Sequence, residues 1–399
     1  MTRKRAAGVV QAAVLAAAPA AACLSEPGYQ PASAVSFGAD GTGAVVAGAG
    51  FALHFASGNG FHLPDALKLD GVDLLGHDPD ARCFAESEAG FLIVPTPRIS
   101  PDGAAPAVAS QLVPVLRGPA VVQVKLDWTG QFACNRARVP GGSSTFTVFP
   151  DGRIVRHDTL DDANPDETGF SPAECACDPS GDALFTISSY WTLTQAPFRE
   201  LYTSASPDGL GLPMPEQPNL GTACLDGGAF QVAVAWVPSE DRNSTTIVAS
   251  GTLYGLHLRK VFRDSTIDPL AWSADTALLL ERGGCKRALD RAEDYSVRPA
   301  LTINGTSLTA PARDGIYGSD MGSGPPGVPV AGRHAELTGM VKSSFAVWLR
   351  FASPARTVRA KLTGATGPWY LPQQVDDQGW IVWFRDPLVA GQQISIDAE

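Results

Sequence analysis

Glycine and proline interrupt this chain so often that no segment can run on as a long helix. Together they make 73 of the 399 residues. The whole chain is 44% hydrophobic, enough apolar matter for a core, and no Gly-x-y period is present. Disordered and collagen-like chains are therefore not expected. What remains is a protein of short strands and turns. Runs rich in Val, Ile, Thr, Phe and Trp lie at 44–55, 91–94, 121–128, 145–149, 153–159, 184–194, 230–237, 245–262, 345–351 and 380–384, with Gly, Pro, Asp or Asn between them. This pattern predicts an all-β fold, a large antiparallel β-sandwich followed by a smaller C-terminal β-domain, with little helix.

The most explicit local unit is 144–159, STFTVFPDGRIVRHDT. Pro150 pre-sets the first turn dihedral, Asp151 suits the second position and Gly152 accepts positive φ, which predicts a hairpin. On its second strand Arg153, Val155 and His157 share one face, and Ile154, Arg156 and Asp158 the other. Residues 285–295 (CKRALDRAEDY) carry Ala288, Leu289 and Ala292 at helical spacing. The expected division is a signal peptide at 1–22, a tether at 23–35, a large sandwich at 36–285 and a smaller β-domain at 286–399. Residues 315–332 form a Gly/Pro-rich loop in the last. No solenoid or propeller repeat is present.

Arg3, Lys4 and Arg5 precede an uncharged run, Ala7 to Ala22, and then Cys23. A basic segment, a short apolar stretch and small residues at the cut make a secretory signal, and the run is too short and Ala-rich to span a membrane. The segment resembles a bacterial lipoprotein signal, with Ala20 where Leu is usual. That resemblance implies a lipid on Cys23. Leu24, in place of a retaining Asp, implies the outer membrane. A plain signal peptidase would accept Ala20-Ala21-Ala22 and release a secreted protein instead. Loss of 1–22 leaves 27 Lys and Arg against 41 Asp and Glu, a net charge of −14. Nucleic acid is therefore not an expected partner, and the membrane is reached through lipid rather than headgroup attraction.

Setting Cys23 aside leaves Cys83, Cys134, Cys175, Cys177, Cys224 and Cys285, an even number that predicts up to three disulfides in an oxidising compartment. Cys175 and Cys177 are too close to bond each other without strain. The preferred pairing joins Cys83 to Cys134 and ties Cys175 and Cys177 to Cys224 and Cys285. The rival is a zinc site of Cys175, Cys177, Cys224 and Cys285, whose first pair is spaced more tightly than a zinc knuckle requires.

Serine-hydrolase, zincin and P-loop motifs are absent from the sequence, and no cofactor is expected. Asp162, Asn164 and Asp166 fall at alternate positions, as calcium ligands do, but Glu167 and Ala173 stand where an EF-hand needs Gly and Glu. The plainer reading is a polar surface loop. His62 and His77, with Asp78 and Asp80, also read as loop residues. His157 stands beside Arg153, Arg156 and Asp158 on one strand. If that strand faces a groove, Arg153 would neutralise a sugar carboxylate and His157 or Tyr190 would move a proton. The plainer reading is a polar outer sheet face. Trp369-Tyr370, after a Gly/Pro turn, is the expected exposed stacking pair for a sugar ring.

The hairpin and the strand-rich layout of residues 120–280 resemble the β-sandwich domains of secreted carbohydrate-active proteins, including polysaccharide lyases and mutarotase-like sandwiches. That resemblance implies a glycan ligand but transfers no catalytic residue. The expectation is a lipid-anchored cell-envelope protein that binds glycan or another surface partner. The alternative is a lyase or glycosidase on the same scaffold.

Overall fold

The computed structural model describes residues 34–57, 61–76, 89–96, 108–131, 138–160, 184–203, 206–211, 217–218, 221–237, 244–250, 253–262, 272–363 and 369–399. The expected signal, most of the expected tether, Cys83, Cys134, Cys175, Cys177, Asp162, Asn164, Asp166, His77, Asp78 and Asp80 lie outside them.

The all-β expectation holds. A ten-stranded antiparallel sheet forms the middle of the molecule. Its strands run in the order Ser206–Gly211, Glu200–Thr203, Thr222–Asp226, Gln231–Val237, Trp272–Glu281, Arg153–Leu160, Arg138–Val148, Val122–Gln131, Val108–Arg117 and Phe61–His62. One face packs against two five-stranded sheets. The first is made from strands between Ser36 and Asp73. The second contains Gln217–Pro218, Ser244–Ser250, Leu253–Phe262, Leu184–Thr194 and Ala89–Thr96. Phe55, Phe146 and Trp191, one from each of these three sheets, meet edge-to-face at 5.3 and 6.0 Å between ring centroids. This is the preferred aromatic geometry, and it ties the sandwich core together.

The other face of the central sheet is covered as well. The helix Cys285–Val297 lies on it through Ala288, Ala292 and Tyr295. Beside the helix, Ala346, Leu371, Ile381 and Trp383 of the C-terminal strands join Phe149, Val155, Ala233, Ala277 and Leu279 in one apolar cluster. Burial on both faces explains why Gln231–Val237 (QVAVAWV) is buried at every position rather than at alternate ones. The C-terminal part has its own core between two five-stranded sheets, one containing His334–Gly339 and Gln393–Ala398, the other Phe345–Phe351 and Gly379–Phe384.

The predicted hairpin is present. Arg138–Val148 pairs with Arg153–Leu160, and Gly152 turns at φ 80°. The predicted helix is present and extends two residues further, to Val297. Two runs read as single strands are instead hairpins. Residues 44–55 divide into Gly43–Gly48 and Phe51–Ala56, with Gly50 at φ 75°, and 245–262 divides into Ser244–Ser250 and Leu253–Phe262. Glycine supplies the left-handed conformation that the first turn needs. Residues 315–332 are not all loop, since Ile316–Tyr317 and Val328–Val330 both pair in parallel with Phe345–Phe351.

Candidate functional site

The alternation predicted for Arg153–Leu160 is kept, but neither of its faces is a polar surface. Ile154, Arg156 and Asp158 point into the sandwich. Arg156 and Asp158 are fully buried and paired, Nε to Oδ2, at 2.8 Å. Asp158 also accepts hydrogen bonds from Ser144 at 2.5 Å and from Ser189, and Arg156 donates to the Tyr190 carbonyl at 2.8 Å. The Arg156 guanidinium lies 5.6 Å from the Phe146 ring and 5.5 Å from the Trp191 ring. A buried charge needs this many partners to persist, so the pair joins two sheets and presents nothing to a ligand.

Arg153 and His157 lie on the opposite face, toward the helix and the C-terminal sheets. Arg153 is 7% exposed, stacks 4.0 Å from the Phe149 ring centroid and donates from Nη1 to the Ser344 carbonyl at 3.2 Å. Nearby, Asp151 binds Arg291 at 2.5 Å and accepts from the Ser344 hydroxyl. Burial alone would raise the Asp151 pKa, but the charges of Arg291 and Arg153 outweigh it and hold it below the ordinary value. Arg153 thus helps seal the C-terminal part onto the central sheet.

His157 stands directly across from Asp275 on the Trp272–Glu281 strand. Its Nδ1 lies 2.7 Å from Asp275 Oδ1, and the two side chains are 22% and 21% exposed. Burial pushes the imidazole pKa down, but the Asp275 hydrogen bond and the charges of Asp275 and Asp158 prevail and raise it above 6.5. Close enough to interact with it is Asp314, 6% exposed, which accepts the Ile316 N–H and the Ser319 hydroxyl, each at 3.0 Å. Burial raises the Asp314 pKa to about 6 against those hydrogen bonds and the charges of Arg313 and His157. The Tyr295 hydroxyl donates to the Ala312 carbonyl, and burial pushes its pKa far up, so it is no proton acceptor near neutral pH. A His–Asp pair can hold and pass a proton. Of the three catalytic candidates, however, the structure brings none together. Tyr190 belongs to the outer sheet, on the other side of the central sheet from the His157 ring. Arg153 is four residues from His157 along an extended strand, roughly 13 Å at ~3.3 Å per residue.

Two described cavities are lined without His157, one by Pro354, Asp376, Asp377 and Gln378 and one around Arg153 and Tyr295. The stacking expectation is corrected in part. Tyr370 is 7% exposed and packs on Phe384, so it is not an exposed platform. Trp369 is half-buried, and the Arg385 guanidinium covers its ring at 3.8 Å. The preferred cysteine pairing is also corrected, because Cys224 bonds Cys285, with Cα atoms 5.6 Å apart. Cys224 lies on the face of the central sheet that the helix covers, and Cys285 opens that helix, so docking brings the thiols into range. Two of the four sulfurs of the zinc alternative are thereby consumed. No group of three or more metal-ligating side chains occurs among the described residues.

Asp275 and Asp314 could not be found from the sequence. Asp275 has no motif around it and is chosen by strand register, while Asp314 reaches the site from a turn of the C-terminal part.

No protein-family model matches this chain. No curated protein matches it either. Solved structures overlap it at low identity. The Slr1438 protein of Synechocystis sp. PCC 6803 is 11% identical with a TM-score of 0.33, covering 65% of this chain and 99% of that one. Heparan sulfate lyase HepC of Pedobacter heparinus is 9% identical with a TM-score of 0.32, covering 66% and 35%. YeaD of Salmonella typhimurium, described as a candidate mutarotase, is 8% identical with a TM-score of 0.34, covering 64% and 97%. Fold by itself does not carry a site from one protein to another.

Proposed function

We propose that this chain is an exported bacterial cell-envelope protein, anchored by lipid at Cys23 on the outer membrane, and that it binds a glycan rather than transforming one. The observation that carries the address is the Cys224–Cys285 bond, a buried staple of the kind retained where thiols oxidise. It agrees with the basic, apolar and small-residue order of residues 1–23. Binding without catalysis is favoured because His157, Arg153 and Tyr190 do not converge. The half-buried Trp369 and the exposed Arg385 stacked on one side of its ring form the surface pair of the C-terminal part that this reading assigns to the glycan. The net charge of −14 favours a neutral glycan over a polyanionic one.

Intact mass of the N-terminal peptide from membrane-extracted protein tests the anchor. A di- or triacylated Cys23 is expected, and a free thiol there would reject it. Binding is tested on arrayed neutral glycans with the wild type and Trp369→Ala, where the variant is expected to lose at least tenfold in affinity. The catalytic alternative has one observation in its favour, the His157–Asp275 pair. His157→Ala assayed on uronate-containing polysaccharides decides it, since unchanged turnover removes His157 from any reaction.

A further inference from the structure

We infer that the joint between the helix, the central sheet and the C-terminal sheets binds one monatomic anion, a halide such as chloride, between Arg153 and Arg298. A cavity of about 30 Å³ lies there, lined by Arg153, Asp294, Tyr295, Arg298, Tyr317 and Ser343, among others. Arg153 comes from the central sheet, Arg298 from the C-terminal cap of the helix and Tyr317 from the C-terminal part, so all three units meet at this point.

The polar groups around the cavity are unevenly satisfied. Tyr295 and Tyr317 already donate their hydroxyl protons, to the Ala312 and Pro299 carbonyls. Arg153 uses Nη1 on the Ser344 carbonyl, but its Nε and Nη2 have no hydrogen-bond partner, and neither does Nε of Arg298. No carboxylate forms an ion pair with either guanidinium among the described residues. The nearest acid in sequence to Arg153, Asp151, is held by Arg291 and Ser344. The one carboxyl at the cavity, Asp294, also has an unpartnered oxygen, Oδ2. Burial raises its pKa above the ordinary value against hydrogen bonds from Ser343 and the Lys342 backbone, so the carboxyl is held from the side of Ser343 and Lys342 rather than by either guanidinium.

Charge and size then choose the ligand. Water would satisfy the free N–H groups but would add no negative charge between the two guanidinium groups, for which Asp151 and Asp294, both held by other partners, are the nearby acids. A cavity needs about 10–15 Å³ for one water, so this one holds about two such spheres. Phosphate, sulfate and carboxylate ligands are too large. A halide meets both requirements, and by bridging Arg153 and Arg298 it would hold the C-terminal part against the sandwich.

Crystals of the full mature protein, grown without halide and soaked in sodium bromide, give a direct test. An anomalous bromide peak within hydrogen-bond reach of Arg153 Nε and Nη2 is expected, and its absence from the cavity would overturn the inference. In solution, Tm in about 100 mM bromide should exceed Tm in equal gluconate, too large to enter, by a few degrees. Equal values would also overturn it. Arg298→Gln, at a partly exposed cap position, should lose that halide-specific increment. If the variant keeps it, the two-arginine site is wrong.

Discussion

Gln373 accepts the backbone N–H of Val121 at 2.8 Å, and the same side-chain oxygen takes the N–H of Ala120 at 3.0 Å. The residues are about 250 positions apart in the chain, and all three are buried. One amide of the C-terminal part thus satisfies two donors that the loop after Gly118-Pro119 leaves inside the protein. Removing the acceptor without refilling it exposes both donors to an apolar surrounding. Gln373→Leu should cost about 2–4 kcal/mol at ~1–2 kcal/mol for each orphaned N–H. Urea unfolding of the purified variant measures this, and a loss under half a kcal/mol would mean that the contact is not formed.

The Cys224–Cys285 staple closes a loop of 61 residues. Chain-entropy arithmetic for a loop of that length gives about 4 kcal/mol of stabilisation. The double substitution Cys224→Ala, Cys285→Ala should therefore lower the unfolding free energy by a comparable amount, read as a drop in the urea midpoint, while the strand content seen by circular dichroism is kept. An unchanged midpoint would show that the bond contributes nothing.

With Cys224 and Cys285 joined, Cys83, Cys134, Cys175 and Cys177 remain. If Cys175 and Cys177 cannot bond each other, Cys83 and Cys134 cannot either, because that would leave the adjacent pair to itself. Each of Cys83 and Cys134 should then be cross-linked to one of Cys175 and Cys177. Non-reducing peptide mapping reads this outcome directly, and a Cys83–Cys134 peptide would refute it.

Asp314 makes stability depend on pH in a defined direction. Its folded pKa of about 6 lies above the ordinary 3.8, so between those values the unfolded chain ionises while the folded one stays protonated. Its contribution is therefore full in acid and is lost as pH rises from about 4 through about 6. Above that range the buried carboxylate costs about 3 kcal/mol. Asp314→Asn removes the titration. The stability of the variant relative to wild type should climb across this window and level off above it. His157, whose pKa is raised above 6.5 by Asp275 against burial, adds a contribution that is lost at higher pH. Parallel pH profiles for the two proteins would rule out a buried acid at this position.

What could be read in the sequence was local. The Pro150-Asp151-Gly152 turn announced its hairpin because three adjacent residues fix the dihedrals. The helix at Cys285–Val297 was visible because Ala288 and Ala292 repeat at one turn. Residues 44–55 look like one strand because alternation is the same in a long strand and in two short ones, and only the φ of Gly50 separates them. The sharpest misreading concerned Arg153–Leu160. Arg, His and Asp in alternation look like a solvated edge, yet Arg153, Arg156 and Asp158 are all buried. The covering layers come from other segments, between 31 residues away at Ser189 and 191 residues away at Ser344.

Sequence alone determined that this chain is strand-built and breaker-rich, since both follow from composition or from neighbours along the backbone. Tertiary structure alone decided that Cys224 meets Cys285, that His157 faces Asp275 and that Arg153 stands beside Arg298 across a small cavity. Those partnerships depend on strand register and on how sheets stack. Such long-range choices are fixed by the burial of whole faces at once rather than by any residue's immediate neighbours.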